Sequence, residues 1–514
     1  MTTDIRPISA TPAGPPPSMS SVFGIDFSDE QLDIITAPLE PAVVVAGAGS
    51  GKTTVMAARV TWLVANGLVD ADRILGLTFT NKAAAELAGR VRSGLARLAP
   101  PTGALISTDH DNGEPSISTY HAFAHRVIAE HGLRLGLEPD ARLVTEGTRY
   151  QLAFRVACGT KRTIAALKSS PVEVAKKIVA LDAVLAERML SPQDLINADQ
   201  TRIDAMSVVD QQKTGRDMIE TALIRIELAG LVEEFRAAKR NHDVIDFSDQ
   251  LRLCADLALS CPEVAESLRG HFRVVLLDEY QDTSITQRVF METLFGEGHP
   301  VTAVGDPCQG IYSWRGAEVA NIDEFPSQFP VVRADGSHTP AAAYPLSVNR
   351  RSANWILDAA NEVAMPLHAV HPDLVNLRPG RADLGPGRID VALLKTESDE
   401  IDWVADQIAG LATEVSTWSD VAVLCREGAQ IPLVHAALVA RSVPAQMVGK
   451  ATLLELPEVV EIVSMLEVIH DPGANSALLR QLVGPRWRIG PRDLAVLGRH
   501  AARLGLRWRA GRSE

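Results

Sequence analysis

The sequence has no long apolar run, and nothing in its 514 residues approaches the roughly 18 consecutive apolar residues that a membrane-spanning helix needs. Residues 1–25 also lack the apolar core of a secretory signal and are instead rich in proline, serine and threonine. We therefore expect a chain that does not cross a membrane, and we predict that residues 1–25 are a disordered leader.

Cysteine and net positive charge are also scarce. Five cysteines occur in 514 residues without the spacing of a metal site or a disulfide framework, which favours a reducing cytoplasm. Lysine and arginine number 50 against 64 aspartate and glutamate residues, so the formal net charge is -14. This balance argues against a protein that coats nucleic acid by bulk charge, although it is compatible with a local basic groove.

The chain does contain enough apolar sequence for a large folded protein, with 46% hydrophobic residues. Its length corresponds to about three or four domains at roughly 150 residues each. Apolar, β-branched runs alternate with helical periodicity before residue 125 and again from residue 244, which predicts an α/β fold with a parallel sheet. Residues 125–243 have helical periodicity throughout and are predicted to be a helical insertion.

A phosphate-binding loop is predicted at residues 42–54, which have the sequence AVVVAGAGSGKTT. Apolar residues lead there into a glycine-rich turn and then into helix formers, the pattern of a strand, an anion-binding loop and a helix. Backbone N–H groups of such a loop hold phosphate oxygens, Lys52 adds a positive charge, and the Thr53 hydroxyl can ligate Mg²⁺.

One position departs from the general pattern GxxxxGK followed by Ser or Thr, because Ala46 replaces the first glycine. An ordinary glycine-rich turn is the alternative, but lysine and threonine at this spacing after an apolar strand favour a nucleotide site. The predicted nucleotide-binding residues of the loop are Ala46, Gly47, Ala48, Gly49, Ser50, Gly51, Lys52, Thr53 and Thr54.

Two acidic residues follow a later apolar strand, residues 274–277. Asp278 is predicted to hold Mg²⁺ through water, and Glu279 to orient and deprotonate the attacking water. A solvated acidic turn is the alternative. The lysine-containing loop earlier in the same predicted sheet favours the catalytic interpretation, because ligands bind at the carboxyl ends of parallel strands.

A third strand end carries polar and aromatic residues. Residues 301–304 form an apolar run, and Gln309, Trp314 and Arg315 follow it. A glutamine here can sense a γ-phosphate, while an aromatic residue beside an arginine suits base stacking and phosphate contact. Trp314 taken alone is more often a core residue. Its place after a sheet strand makes it a candidate link between nucleotide and polynucleotide.

Six segments together resemble the successive motifs of UvrD/Rep/PcrA-type superfamily 1 helicases. In chain order they are AGAGSGKTTV (46–55), LTFTNKAAAEL (77–87), STYHAFA (118–124), DFSDQL (246–251), LLDEYQDTS (276–284) and AVGDPCQGIYSWRGA (303–317). They have the family's order and spacing over about residues 26–450. The phrases VVLLDEYQDT and AVGDP with WRGA are most similar to an AdnB-type subunit of helicase–nuclease complexes.

The resemblance implies further roles at the nucleotide. Gln31 would bind the adenine edge, Arg59 would lie near the nucleotide, and Gln309 would contact the γ-phosphate. Arg351 lies where the family has an arginine finger, which stabilises charge on the transferred phosphoryl group. Arg350 stands where the family has an aromatic residue that stacks on adenine.

The resemblance also implies single-stranded DNA contacts. Trp314 would be the stacking platform with Arg315 beside it. The other predicted DNA contacts are Phe79, Asn81, Lys82, Tyr120 and His121.

The fold that the resemblance implies is α/β, with two RecA-like P-loop domains that have parallel sheets, plus helical insertion domains. Residues 388–394 and 420–424 are predicted strands of the second RecA-like domain. The expected boundaries are 1–25 for the leader, 26–124 and 244–340 for the first RecA-like domain, 125–243 for its helical insertion, 341–450 for the second RecA-like domain, and 451–514 for the start of a second helical domain.

The expected function is that of an ATP hydrolase and DNA helicase that uses ATP and Mg²⁺, moves 3′-to-5′ on single-stranded or tailed DNA and acts in repair or recombination. The AdnB likeness implies a helicase–nuclease partner subunit. The family's last motifs are not found, so a truncated or degenerate subunit that binds ATP and DNA with little turnover is the alternative. A small-molecule kinase is a third, weaker hypothesis, because it does not explain the motifs that contain Phe79 and Trp314.

Overall fold

The computed structural model describes residues 18–98, 113–136, 142–209, 213–448, 457–471 and 474–510. The chain forms two compact units, Met1–Ile389 and Asp390–Glu514. Most of the predicted leader, residues 1–17, lies outside the described residues. None of the helices in the described ranges is both long and apolar enough to span a membrane.

A parallel sheet organises the first unit. In chain order its strands and those of three small ladders are β1 (Ala42–Ala46), β2 (Ile74–Thr78), β3 (Ser116–Thr119), β4 (Arg142–Leu143), β5 (Val244–Ile245), β6 (Val274–Leu277), β7 (Val301–Gly305), β8 (Val331–Val332), β9 (His338–Thr339), β10 (Ala342–Leu346), β11 (Val348–Asn349) and β12 (Arg378–Pro379). Six of them form the main sheet in the order β10-β1-β7-β6-β2-β3, and every neighbouring pair is parallel. The structure therefore confirms the predicted α/β class.

Helices cover both faces of this sheet. In the first unit they are α1 (Met19–Phe23), α2 (Asp29–Ile35), α3 (Lys52–Ala65), α4 (Asn81–Leu98), α5 (Tyr120–His131), α6 (Glu146–Gly159), α7 (Pro171–Glu187), α8 (Pro192–Val209), α9 (Lys213–Asn241), α10 (Phe247–Ser260), α11 (Pro262–His271), α12 (Ile285–Phe295), α13 (Ala320–Gln328) and α14 (Asn354–Ala364). Successive strand residues face opposite sides, so Val43 joins one apolar cluster and Val44 the other. Strands buried on both faces are uniformly apolar for this reason.

Residues 18–25 are not a disordered leader. Met19 and Val22 are only 5% and 6% exposed in α1, where they pack against the sheet's core. The guanidinium of Arg97 also donates a hydrogen bond to the carbonyl oxygen of Val22 at 2.7 Å. The leader prediction is wrong for these residues because Met19, Val22 and Phe23 share one helical face that can be buried.

The predicted start of the second RecA-like domain at residue 341 is also wrong. Strand β10 pairs in parallel with β1, with Ala42 opposite Ala342 and Ala46 opposite Leu346, so it belongs to the first sheet. The sequence Ala-Ala-Tyr-Pro-Leu conceals a strand because it contains proline and no β-branched residue. An edge position tolerates that proline.

The predicted helical insertion is built mainly from α6 to α9. These helices share their own apolar cluster, which includes Ile178, Leu231 and Phe235. The loop before α7 is fixed by Glu227 of α9, whose carboxylate accepts backbone N–H groups of residues 165–167 at 2.8–3.0 Å. The insertion therefore folds around its own core while remaining attached to the sheet domain through α7 and α10.

The second unit contains α15 (Glu397–Gly410), α16 (Ile431–Ala440), α17 (Pro457–His470), α18 (Asn475–Val483) and α19 (Pro491–Ala510). Residues 388–394 and 420–424 do not pair as strands within the described residues, and Leu393 and Leu424 are 99% and 95% exposed. A strand exists only when a neighbour supplies hydrogen bonds. The predicted second parallel sheet is therefore not formed in the part of this unit that the structure describes.

Candidate nucleotide site and nucleic-acid face

The carboxyl ends of the main sheet's strands gather the predicted functional segments at one edge. The phosphate-binding loop follows β1, the paired acids follow β6, and the loop with Gln309 and Trp314 follows β7. Strand β7 lies between β1 and β6, so its loop emerges between the lysine loop and the acids. This is the location that open parallel sheets use for ligands.

The loop after β1 has the backbone of an anion cradle. Gly49 and Gly51 have φ values of +70° and +88°, a conformation that favours glycine. The Ser50 hydroxyl is fully buried and donates to the Gly47 carbonyl oxygen at 2.7 Å, which closes the turn. Ala46 is the last residue of β1 and is 1% exposed, so alanine is accommodated there and only its backbone can face a ligand.

Lys52 and Glu279 meet directly at this edge. The Lys52 Nζ lies 3.2 Å from Glu279 Oε2, and the two side chains are 12% and 32% exposed. Glu279 has φ 49° and ψ 46°, a left-handed conformation that costs a non-glycine residue about 1–3 kcal/mol. Such strain typically marks a functional side chain that the surrounding fold must aim.

A chain of hydrogen bonds runs from Glu279 to the loop after β7. Gln281 is 1% exposed, and its Nε2 donates to Glu279 Oε2 at 2.9 Å. Its Oε1 accepts the Asp306 N–H at 3.0 Å. The Asp306 carboxylate in turn accepts the Gln309 Nε2–H at 2.6 Å. Sequence reasoning missed Gln281 and Asp306, although both lie within the quoted motifs.

The acids fit a divalent cation. Asp278 is 4% exposed, and burial, followed by the charge of Glu279, raises its pKa to about 6. Burial and Glu279 likewise raise the pKa of Asp282 to about 7, and its Oδ1 has no hydrogen-bond partner among the described residues. Crowded, buried carboxylates are stabilised in the ionised form by a cation, and the Asp278 carboxylate and Thr53 hydroxyl are the oxygen ligands that Mg²⁺ prefers.

Gln31 supports the phosphate-binding loop through both ends of its side-chain amide. It is 2% exposed, its Nε2 donates to the Ser50 carbonyl oxygen at 2.9 Å, and its Oε1 accepts the Ser28 N–H at 3.0 Å. The second contact belongs to the capping box that starts α2. An adenine contact by Gln31 stays a prediction, and the second N–H of Nε2 and the second lone pair of Oε1 are available for it.

Arg59 does not contact the nucleotide site. Its side chain is 1% exposed, and its guanidinium donates to the carbonyl oxygens of Ile34, Ala37 and Pro38 at 2.9–3.0 Å. The Ile34 carbonyl belongs to the last turn of α2, the helix that carries Gln31, and the other two carbonyls follow its end. Arg59 was expected to lie near the nucleotide, but its side chain lies on the buried face of α3, where it caps the C-terminal end of α2.

The segment after β10 lies against the loop. Gly47 N–H donates to the Leu346 carbonyl oxygen at 3.0 Å, and Arg350 N–H donates to the Gly49 carbonyl oxygen at 3.0 Å. Arg351 follows in this segment, and its side chain is exposed, so it is free to reach a phosphate as an arginine finger must. The Arg350 Nε is buried without a hydrogen-bond partner in the described residues. Stacking of Arg350 on adenine stays a prediction.

Three neighbouring aromatic side chains, the half-buried Phe79 and Tyr312 and the exposed Trp314, form an aromatic stack where β2 and β7 end. Trp314 is 71% exposed, and the Arg315 guanidinium lies over its ring at 4.6 Å from the centroid. Tyr312 lies between Trp314 and Phe79, with its ring centroid 6.3 Å and 5.4 Å from theirs. Sequence reasoning missed Tyr312, although an aromatic residue two positions before Trp314 was a visible indication. Asn81 and Lys82 are exposed at the start of α4 near Phe79 in sequence.

Tyr120 and His121 point in different directions. Tyr120 is 1% exposed within the core of the sheet domain, so the predicted DNA contact by its side chain is wrong. His121 is partly accessible, and its ring packs edge to face on Phe247 with the ring centroids 5.7 Å apart. Burial lowers the pKa of His121, so the ring is neutral near pH 7. Phe247, which is 54% exposed, was also missed by sequence reasoning.

A cluster of three buried carboxylates elsewhere is not a metal site. Asp182, Asp246 and Asp249 have ligand oxygens within 4.8 Å of one another. The ammonium group of Lys239 already occupies the centre, at 2.7, 3.0 and 2.9 Å from the three carboxylates. The cluster is a buried ion-pair network between the insertion and the sheet domain.

Comparison with known proteins agrees with this geometry. The family profile described as the UvrD/REP helicase N-terminal domain matches residues 27–330, and that described as the UvrD-like helicase C-terminal domain matches residues 344–509. Segments typical of both family domains are therefore present in this chain.

Several curated proteins are similar along most of the chain. The ATP-dependent DNA helicase PcrA of Leuconostoc citreum is 29% identical over 93% of this chain and 57% of its own length. The ATP-dependent DNA helicase UvrD1 of Mycobacterium bovis is 30% identical over 98% of this chain and 60% of its own length. DNA helicase II of Escherichia coli is 28% identical over 92% of this chain and 58% of its own length.

The chain thus spans about three fifths of the length of these relatives. The N-terminal profile covers more than half of the chain, from the capped helix that carries Gln31 to the aromatic loop and beyond. With its phosphate loop, paired acids and aromatic loop on one sheet edge, this chain belongs to the UvrD/REP helicase family.

Proposed function

We propose that this chain is the ATP-hydrolysing motor part of a DNA helicase that moves 3′-to-5′ along single-stranded or tailed DNA. The observation that carries the proposal is the hydrogen-bonded chain from Glu279 through Gln281 and Asp306 to Gln309. It joins the group that faces Lys52 to the base of the loop that carries Trp314. Hydrolysis and nucleic-acid contact are therefore linked by contiguous polar contacts.

The residues divide the work of hydrolysis between them. In the proposed mechanism Lys52 leaves Glu279 when ATP arrives and pairs with the phosphates, which frees Glu279 to accept a proton from the attacking water. Gln281 holds the Glu279 carboxylate in place, and Arg351 offsets charge on the transferred phosphoryl group. Asp278 and Thr53 would hold Mg²⁺, which neutralises phosphate charge.

The aromatic stack is proposed to hold successive DNA bases. Stacking on an aromatic side chain contributes about 1–3 kcal/mol per base and tolerates any sequence. Arg315 and Lys82 supply positive charge beside the stack. The ring of Trp314 is 71% exposed and therefore accessible to a base that stacks on it.

ATPase assays with and without single-stranded DNA test the proposal. Single-stranded DNA should stimulate hydrolysis, Lys52→Ala should abolish it, and Trp314→Ala should reduce the stimulated rate more than the basal rate. Phe235→Leu, a buried change in the apolar cluster of the helical insertion, serves as the packing control. Equal loss of basal and stimulated rates in Trp314→Ala would contradict the coupling role.

A second candidate function is a helicase-like subunit that binds ATP and DNA with little turnover of its own. Arg351 is the single candidate finger that the sequence offers, and one such residue contributes a factor of about 10³ or more to turnover in related enzymes. Weak hydrolysis with intact nucleotide binding would support this candidate. Rapid DNA unwinding by the purified 514 residues would exclude it.

We further propose an AdnB-type role, in which the chain works in DNA repair or recombination with a helicase–nuclease partner subunit. The support is the similarity of residues 274–283 and 303–317 to that subunit type. Co-expression with a helicase–nuclease subunit should yield a stable complex that degrades DNA ends in the presence of ATP. Failure to co-purify would contradict the partnership and leave the motor proposal standing.

A further inference from the structure

Asn349 is a buried polar residue that the mechanism above does not use. It ends β11 and is 2% exposed. Its side-chain Nδ2 donates to the Ala48 carbonyl oxygen at 2.6 Å, and its Oδ1 accepts the N–H groups of Arg351 and Ser352, each at 2.8 Å. One amide side chain therefore joins the phosphate-binding loop to the backbone of the finger residue.

The two segments are packed too closely for independent movement. A Cβ atom built on Gly49 would lie 2.5 Å from Asn349 Nδ2 and 2.9 Å from Arg351 Cβ. The Gly49 carbonyl oxygen also accepts the Arg350 N–H. A shift of the Ala48–Gly49 peptide must therefore displace Asn349 and, through it, the backbone of Arg351.

The hydrogen bond to Ala48 also orients the loop. A trans peptide is planar, and its C=O and following N–H point in opposite directions. With the Ala48 oxygen held towards Asn349, the Gly49 N–H is directed away from Asn349. Backbone N–H groups are the part of such a loop that binds phosphate.

We propose that Asn349 is a positioning residue that couples the phosphate-binding loop to Arg351, so that a nucleotide in the loop fixes the finger. The inference rests on the proposed ATPase function and adds a means of its regulation. A separate anchor holds Ser347, two residues before Asn349, because the Glu30 carboxylate of α2 accepts the Ser347 N–H and hydroxyl, each at 2.8 Å. That anchor fixes the end of β10, whereas Asn349 acts on the finger itself.

Amide hydrogen exchange of the full chain tests the coupling directly. In the nucleotide-free protein, Asn349→Ala should raise the exchange rates of the Arg351 and Ser352 amides by about tenfold or more, because their acceptor is lost. Addition of a non-hydrolysable ATP analogue with Mg²⁺ should slow exchange at residues 350–352 in the unmodified chain. Unchanged exchange in Asn349→Ala would overturn the proposal.

Asn349→Asp separates the two halves of the contact. The carboxylate still accepts from Arg351 and Ser352 but cannot donate to Ala48, so the finger amides should stay protected without nucleotide. Their further protection by the ATP analogue should be lost, while the loop at residues 46–54 remains protected. Retained nucleotide-dependent protection at residues 350–352 would overturn the coupling.

Asn321→Ala is the matched control. Asn321 is equally buried at 2% exposure and donates to the Thr283 carbonyl oxygen at 2.9 Å, away from the finger. The Asn321→Ala variant should leave amide exchange at residues 350–352 unchanged. A similar rise there in both alanine variants would show that general destabilisation, rather than the Asn349 contact, is responsible.

Hydrolysis provides a second readout. Misplacement of a catalytic group by about 1 Å can lower the reaction rate roughly 10²-fold. Asn349→Asp should therefore lower kcat by about 10- to 100-fold and leave KM within about twofold of the value for the unmodified chain. An equal kcat would overturn the proposal. If the unmodified chain hydrolyses no ATP, the ATPase function is contradicted, and the nucleotide-free exchange rates still decide whether Asn349 holds the finger.

Discussion

Tyr120 is a large side chain that the fold buries while leaving its hydroxyl oxygen without a hydrogen-bond partner in the described residues. Burial, together with the charges of its neighbours, raises the tyrosine pKa well above 10, so the hydroxyl stays neutral. Removing an unsatisfied buried polar group commonly stabilises a protein.

We expect Tyr120→Phe to raise the free energy of unfolding by about 1 kcal/mol, the lower end of the cost of burying an unpaired polar group. Urea unfolding followed by circular dichroism measures this change. DNA affinity should not change in the variant, whereas Phe79→Leu should weaken it. Loss of affinity in Tyr120→Phe would mean that the hydroxyl reaches DNA after all.

The pKa of Asp278, raised to about 6 by burial and by Glu279, predicts how Mg²⁺ binding depends on pH. Mg²⁺ binds the ionised carboxylate, so affinity should be full well above pH 6 and should fall as the pH drops through 6. Near pH 6, binding of Mg²⁺ with ATP should therefore release protons. Calorimetry in two buffers of different ionisation enthalpy measures this release, and Asp278→Asn should reduce it. Proton uptake would contradict the assignment.

At the scale of elements, the Lys239 network attaches the helical insertion to the sheet domain. Lys239 and Arg236 come from α9 and Asp182 from α7, whereas Asp246 and Asp249 begin α10. Lys239 is only 3% exposed, and the three carboxylates around it raise its pKa although burial opposes them. Buried charges of this kind are stable only while their partners are present.

We expect Lys239→Met to lower the free energy of unfolding by about 3–5 kcal/mol, because it leaves buried carboxylates without their cation. Lys176→Met, on the exposed face of α7, should cause no measurable change and is the matched control. Urea unfolding monitored by circular dichroism compares the two. A small effect in Lys239→Met would show that water or Arg149 compensates the lost charge.

The elements were largely predictable from the sequence, but the directions of individual side chains were not. The apolar runs of β1 and β6 and the spacing from Gly51 to Thr53 are local patterns, and the structure has both strands and the loop where they were expected. Tyr120 and His121 are neighbours on one helix, where successive residues diverge by about 100°, so both cannot face the same ligand. A motif match does not specify which of them faces inward.

The remaining errors come from contacts distant in sequence. Arg59 donates to carbonyl oxygens just after the end of α2, more than 20 residues earlier, and nothing near Arg59 in sequence indicates them. Strand β10 became recognisable only by its pairing with β1. The apolar segments at 388–394 and 420–424 have the composition of strands, but composition supplies no partner strand.

At the scale of the whole molecule, a net charge of -14 opposes DNA binding at long range. The proposed contact with DNA must therefore depend on local groups, and the aromatic stack of Phe79, Tyr312 and Trp314 is uncharged. Binding through stacking depends less on salt than binding through many phosphate contacts.

We expect a shallow salt dependence of single-stranded DNA binding. With two phosphate contacts, from Lys82 and Arg315, the slope of log affinity against log salt should be about -1.4. Fluorescence anisotropy at several salt concentrations measures it. Lys82→Ala and Arg315→Ala should each reduce the slope by about 0.7, whereas Trp314→Ala should lower affinity with the slope unchanged. A slope several times steeper would indicate an extended basic groove instead.

Pro345 gives the sheet's outer strand a further property. Leu346 directs its carbonyl oxygen towards β1, where Gly47 donates to it, so the alternate residues Ala343 and Pro345 present their backbone to the open side. Proline has no N–H, and this open side therefore lacks one of the donors that an added strand would need. The exposed edge is thereby protected against recruiting strands from other copies of the chain, a common first step of aggregation.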